Sequence, residues 1–88
     1  MTFIDVMDHK LKRRWVAALR GGYWRQTHER VTEGDRGVCA IGILVKILDR
    51  WPTEKELGSR WQKQIIILND EERCPFDRIA EWIEENVP

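Results

Sequence analysis

The chain is poor in cysteine and has no long hydrophobic run, and each deficit excludes a class of protein. Its two cysteines, Cys39 and Cys74, are too few for the disulfide framework of a small secreted domain. The longest apolar run, Val38 to Val45, is far too short to cross a bilayer. The first residues have neither the basic start nor the apolar run of an export signal. We therefore expect a cytoplasmic protein with two reduced thiols and no contact with a membrane.

The chain also lacks a net charge, because its 15 Lys and Arg balance its 15 Asp and Glu. The two signs are nevertheless unevenly placed. Residues 9–31 hold seven Lys or Arg and one acid, whereas residues 70–88 hold seven acids and two Arg. This asymmetry is compatible with solvated faces joined by a few ion pairs, or with a dipolar surface that meets a partner.

What the chain does have is helical periodicity, which is clearest in the first quarter. Gly21-Gly22 is a stop signal for this first helix, and Thr2 or Asp5 is a suitable cap at its start. The apolar stripe consists of Ile4, Met7, Leu11, Trp15, Ala18 and Leu19. The opposite face carries Lys10, Arg13, Arg14 and Arg20.

The middle of the chain is harder to assign. Residues 23–32 have strand-like composition in short pieces, which predicts a small hairpin or an ordered loop, followed by a turn over residues 33–37. Residues 38–48 are almost entirely apolar. Periodicity does not separate a buried helix from a buried strand here, but the length favours a helix that ends at Trp51-Pro52.

Two further helices are predicted towards the carboxyl end. Thr53 and Glu56 have the spacing of a capping box, and Asn69 suits the left-handed residue that often ends a helix. The third helix has a stripe of Leu57, Trp61, Ile65 and Leu68. The fourth begins near Pro75 and has an inward face of Phe76, Ile79, Ala80, Ile83 and Val87, with Trp82 on its flank. The prediction is therefore one mainly α domain, residues 1–88, with four compactly packed helices.

Catalytic and metal chemistry find little support in the sequence. The two cysteines and the two histidines form no close pair such as Cys-x-x-Cys or His-x-x-x-His. No glycine-rich phosphate loop and no Gly-x-Ser-x-Gly segment occurs. Cys39 lies within the most apolar run, where a thiol is usually inert packing. We therefore predict no enzyme, no metal site and no cofactor.

Several short motifs occur in a fixed order along residues 15–84. They are Trp15-x-x-Ala18-Leu19, Gly21-x-Tyr23-x-x-Gln26, Cys39-x-x-Gly42-Ile43-Leu44, Leu68-Asn69-Asp70, and Phe76-x-x-Ile79-Ala80-x-x-Ile83-Glu84. The ordered set resembles an uncharacterised family of small proteins from tailed phages and prophages. The chain departs from that family in having one cysteine where a pair is common, and Pro75 where a serine precedes the phenylalanine. The resemblance implies a phage accessory protein that acts in the cytoplasm of a bacterial host cell.

These observations together favour a protein that acts by binding rather than by catalysis. The expected partner is a host protein, contacted by the basic face of the first helix or by Trp24 and Trp82, as in an inhibitor or anti-defence module. A nucleic-acid-binding module that uses the same basic face is the alternative, and an oligomer that traps a small nucleotide signal is a further one. The sequence is also compatible with a homo-oligomer. The candidate binding residues are Lys10, Arg13, Arg14, Arg20, Tyr23, Trp24, Arg25, Gln26, Asn69, Asp70 and Trp82.

Overall fold

A computed structural model of the chain describes residues 7–88 and confirms a mainly α-helical architecture. Four α-helices surround one core, and a very small sheet lies between the first two. In chain order the elements are α1 (His9–Arg20), β1 (Arg25–Gln26), β2 (Thr32–Glu33), β3 (Gly37–Val38), α2 (Ala40–Leu48), α3 (Ser59–Ile66), the π-helical turn π1 (Ile67–Glu71) and α4 (Phe76–Asn86). None of the helices in this part of the chain is long and apolar enough to cross a membrane.

Helix α1 begins at a side-chain cap that the sequence analysis did not select. The Asp8 carboxylate accepts hydrogen bonds from the backbone amides of Lys10 and Leu11, at 2.8 and 3.1 Å. These two bonds lower the pKa of Asp8, and the bond from the Leu11 amide has the larger effect. Thr2, Ile4 and Asp5, which the sequence placed at the start of this helix, lie outside the described residues. The predicted end is confirmed, because Gly21 follows the last helical residue.

The small hairpin or ordered loop predicted for residues 23–32 is in fact part of a mixed three-stranded sheet. Strand β3 lies in the centre, parallel to β1 and antiparallel to β2, so β1 and β2 do not pair with each other. The interpretation of residues 23–32 as a hairpin is therefore wrong. It missed β3, because Gly37 and Val38 were assigned to a turn and a helix.

Helix α2 is shorter at its amino end than the apolar run suggested. Val38 belongs to β3, and the Cys39 thiol accepts the amide hydrogen of Gly42 at 3.3 Å as the helix cap. The helix also ends before Trp51-Pro52, at Asp49, whose φ of 58° is left-handed. Val38 is extended, and its β-branched side chain is buried. In the sequence, an apolar residue buried in a strand looks the same as one buried in a helix, so periodicity placed Val38 in the helix.

The capping box at Thr53 forms, but the third helix does not start there. Glu56 accepts the Thr53 amide at 2.9 Å and Thr53 accepts the Glu56 amide at 3.3 Å, yet they enclose a single turn. Gly58 is extended, with φ −57° and ψ 145°, and interrupts the helix. Helix α3 starts at Ser59, whose amide donates to the Glu54 carboxylate.

The prediction that Asn69 ends the third helix in a left-handed conformation is also wrong. Asn69 lies inside π1, which continues α3 without a break, and Arg73 (φ 51°) is the left-handed residue instead. Helix α4 then begins directly after Pro75. A π-helical turn is rare and cannot be recognised from the spacing of apolar residues.

The core confirms most of the predicted stripes. Trp15 is completely buried, whereas Trp61 is half-buried and therefore not the core ring that its stripe predicted. Helix α4 buries the inner face of its middle turns against α1 and leaves Phe76 half-buried. The largest fully buried side chains are Trp15, Val38, Ile41, Ile43, Leu44, Leu57, Ile65, Asn69, Ile79 and Ile83.

Candidate binding groove on helix α1

A groove of about 510 Å³ runs along the outward side of α1 towards α4. The helical positions that line it are spaced so that they fall on one side, since residues three, four or seven apart lie close together around the axis. The lining residues are His9, Lys12, Arg13, Val16, Ala17, Arg20 and Glu84. The groove thus has an apolar floor bordered by Lys and Arg side chains and by one carboxylate.

The floor of the groove is supplied by Val16 and Ala17. Val16 is almost fully buried by the core, whereas Ala17 is exposed and leaves open space over the helix backbone. A small side chain at this position creates room for a ligand group that a longer side chain would fill. Ala17 was not among the predicted binding residues, because an alanine in a helix carries no functional signal.

The cations of the groove differ in how they are held. The Lys12 ammonium donates to the backbone carbonyl of Val87, and the Arg20 guanidinium forms an ion pair with Glu84. Arg13 is exposed, and within residues 7–88 no carboxylate lies in ion-pair contact with it. Within residues 7–88 the Arg13 guanidinium therefore keeps all of its donors for a bound anion, whereas Lys12 and Arg20 each use part of theirs within the protein.

Of the four cations predicted on one face of α1, two line the groove and two lie beside it. Arg13 and Arg20 lie only about 20° apart around the helix and both line the groove. Lys10 and Arg14 lie about 60° and about 100° from Arg13, and they are exposed beyond the groove edge. His9, Lys12 and Glu84 were not predicted. His9 has the i, i+4, i+7 spacing with Arg13 and Val16, whereas the contribution of Glu84 depends on how α4 packs.

Gln26, Asn69 and Asp70 come together, but as a structural network centred on the buried Asn69 side chain. The Asn69 side-chain oxygen accepts from the Ala40 amide at 3.1 Å and from the Gln26 amide group at 3.0 Å. Its nitrogen donates to the Thr27 carbonyl at 2.8 Å and to the Asp70 carboxylate at 2.7 Å. The hydrogen-bonding groups of Asn69 are thus used within the protein, and they connect β1 and α2 to π1.

Tyr23, Trp24 and Arg25 form a separate surface after α1. Tyr23 is 57% exposed, and the Arg36 guanidinium stacks on its ring at 4.6 Å. Trp24 meets the Tyr23 ring edge-on at 4.8 Å and is half-buried. Arg25 is exposed and starts β1.

Trp82 belongs to a different aromatic pair. Its ring lies 6.0 Å from that of Trp61, in an edge-on arrangement, and borders a surface depression of about 310 Å³ together with Leu68 and Cys74. Trp82 is half-buried on the flank of α4, as predicted. Trp24 and Trp82 therefore lie in different aromatic clusters.

The two cysteines are free thiols, as expected. Burial raises the pKa of the Cys39 thiol, which favours the neutral, unreactive form. In the part of the chain that the structure describes, no three His, Cys, Asp or Glu side chains are grouped so that they could hold a metal ion.

Residues 7–64 match the family described as Domain of unknown function (DUF8296), and because this match covers well over half of the chain, the chain belongs to that family. It includes all of α1, the sheet and α2, but not Glu84. No curated protein and no solved structure matches the chain.

Proposed function

We propose that this member of the family is a binding module that holds a segment of a partner protein in the groove on α1. The observation that carries the proposal is the groove itself, with its apolar floor and the available Arg13 guanidinium. A segment that places an apolar side chain over Ala17 and a carboxylate against Arg13 matches both features. Such a partner is an acidic, amphipathic peptide segment.

The distribution of charge supports a protein partner over a nucleic-acid backbone. A polyphosphate strand meets cations along its whole length, but here the Glu84 carboxylate stands in the groove and pairs with Arg20. The chain as a whole is neutral, with a pI near 6.7. A nucleic-acid module that uses the cations of α1 is the second candidate, favoured by Lys10 and Arg14 beside the groove.

The class of partner is a protein of a bacterial host cell, and inhibition of that protein is the form of activity that we propose. Support comes from the ordered motifs between Trp15 and Glu84 that resemble small phage and prophage proteins. An inhibitor needs a stable surface rather than reactive groups. Helix α1 provides one, because Trp15 and Leu19 anchor its inner face in the core.

The experiment compares four tagged chains in a bacterial lysate: wild type, Arg13→Glu, Ala17→Glu and Arg14→Glu. The first two variants place an acid in the groove, and Arg14→Glu makes the same charge change as Arg13→Glu about 100° away on the same helix. All three substituted positions are exposed, so each variant is expected to fold. Retained proteins and nucleic acids are identified by mass spectrometry and sequencing.

We expect one stoichiometric protein that wild type and Arg14→Glu retain and that both groove variants lose. Its binding segment, mapped by cross-linking, should contain carboxylates and an apolar side chain. Equal retention by all four chains would contradict the groove. Recovery of nucleic acid that is released by salt, and lost equally in Arg13→Glu and Arg14→Glu, would favour the second candidate.

A further inference from the structure

We propose that a second copy of this chain docks on a surface formed by Val31, Trp51 and Ile66, which we call the Trp51 surface. This surface lies away from the groove on α1 and shares no lining residue with it. The inferred assembly is a two-fold homodimer in which each copy contributes the same surface.

The Trp51 surface contains two of the three large hydrophobic side chains that are exposed in residues 7–88. Trp51 is 49% exposed and Ile66 is 39% exposed. Both border one cavity of about 80 Å³, whose lining includes Val31, Ile41 and Cys39. Since one water occupies about 30 Å³ of liquid, this cavity has room for part of an aliphatic side chain. The third exposed residue, Tyr23, is already covered on one face by Arg36.

The backbone that carries Trp51 is held in place before any partner arrives. Its carbonyl accepts a hydrogen bond from Arg50 at 3.2 Å, and the same guanidinium binds both oxygens of Glu56 at 2.6 and 2.7 Å. The next residue, Pro52, is buried. Little conformational entropy is therefore lost when this segment is fixed in an interface.

The charges at the edge of the cavity identify the occupant as another copy of the chain. Glu29 and Arg30 are adjacent, exposed and opposite in charge, and both line the cavity. The third charged group of the lining is the Asp70 carboxylate, which accepts a hydrogen bond from the Asn69 side chain. A two-fold axis that passes between Glu29 and Arg30 places Arg30 of one copy near Glu29 of the other, so these two side chains form complementary pairs across the axis. The Glu29 amide donates to Asp70 at 2.9 Å, which fixes this edge. The zero net charge of the chain adds no long-range repulsion between copies.

The first test is sedimentation velocity of the purified chain over a wide concentration range, up to about 1 mM. We expect the sedimentation coefficient to rise with concentration from that of a monomer to that of a dimer. Trp51→Ala should weaken the dimer at least about tenfold, whereas Tyr23→Ala, which removes a comparably exposed ring elsewhere, should leave it unchanged. A chain that stays monomeric at every concentration, or a dimer that Trp51→Ala does not weaken, overturns the proposal.

A charge-reversal pair tests the two-fold geometry and does not depend on the Trp51 variant. Glu29→Arg and Arg30→Glu each place like charges opposite each other, so each should be monomeric alone. An equimolar mixture of the two variants should form a heterodimer, because every contact then joins opposite charges. Dimers of either variant alone at wild-type strength, or no association in the mixture, would overturn the arrangement. Binding of a different protein to the Trp51 surface of a chain that stays monomeric would also overturn the proposal.

Discussion

The indole nitrogen of Trp15 donates a 2.8 Å hydrogen bond to the backbone carbonyl of Ala40, which joins α1 to the first turn of α2. The ring is completely buried. One side chain therefore fills the centre of the core and also fixes the position of a helix end. The amide of Ala40 donates a second hydrogen bond, to the Asn69 side chain, at the same helix end. The groove on α1 depends on this anchor, because it lies on the outer side of the same helix.

Trp15→Ala is expected to lower the free energy of unfolding by about 3–5 kcal/mol, since it removes a buried ring and leaves a cavity. Urea unfolding followed by circular dichroism measures the loss. Trp51→Ala is the matched control, because half of that ring is exposed. We expect it to change the monomer's stability by no more than about 0.5–1 kcal/mol. Equal losses in both variants would show that Trp15 is not the anchor of the core.

Asn69→Ala should be strongly destabilising, because it leaves the Ala40 amide and the Thr27 carbonyl without their partner in a buried site. Each such group costs roughly 1–3 kcal/mol. Asn86→Ala is the control: its side chain also bonds a backbone carbonyl, but on the exposed surface of α4. Thermal unfolding of both variants distinguishes the buried network from an ordinary surface asparagine. If the two melting temperatures agree, the network is not important for the fold.

Gly42→Ala should destabilise the chain, although alanine normally stabilises a helix interior by about 1 kcal/mol over glycine. A Cβ atom at this position would lie 2.0 Å from the carbonyl oxygen of Val31, which is backbone and cannot rotate away. We expect a loss of about 1–3 kcal/mol. Gly34→Asn is the control, since a Cβ there meets open space and asparagine tolerates its φ of +68°. An increase in the melting temperature of Gly42→Ala would contradict the close contact.

The Glu56 carboxyl should titrate unusually low. The hydrogen bonds that it accepts from Arg50 and, second in importance, from the Thr53 amide lower its pKa from 4.5 to about 2. Because the folded pKa lies below the unfolded one, the stabilisation is present above about pH 4.5 and is lost as the pH falls towards 2. Carboxyl-carbon NMR of the folded chain measures the pKa directly. A midpoint near 4.5 would show that the Arg50–Glu56 pair does not persist in solution.

Helix α1 was predictable because its apolar residues recur at helical spacing from one turn to the next. The stripe through Leu11, Trp15 and Leu19 and the stop at Gly21 agree with each other, and the structure confirms them. Helix α4 was predictable for the same reason. Agreement between periodicity and an end signal leaves few alternatives.

The errors occur where a distant partner determines the conformation. Val38 is a strand residue because it pairs with Thr32 and Gln26, and no local pattern contains that information. Asn69 has the chemistry of a helix end, but the buried groups of Thr27 and Ala40 use it within π1. The groove shows the same limit, since Arg13 and Arg20 were predicted but Glu84 arrives from the other end of the chain.

Because Asn69 lies outside residues 7–64, we do not expect the part of the chain that matches the family to fold on its own. If the chain were cut after residue 64, the Ala40 amide and the Thr27 carbonyl would lose their partner, and α1 would lose the apolar face of α4 that covers it. Grafting this segment into another protein therefore requires a replacement for both.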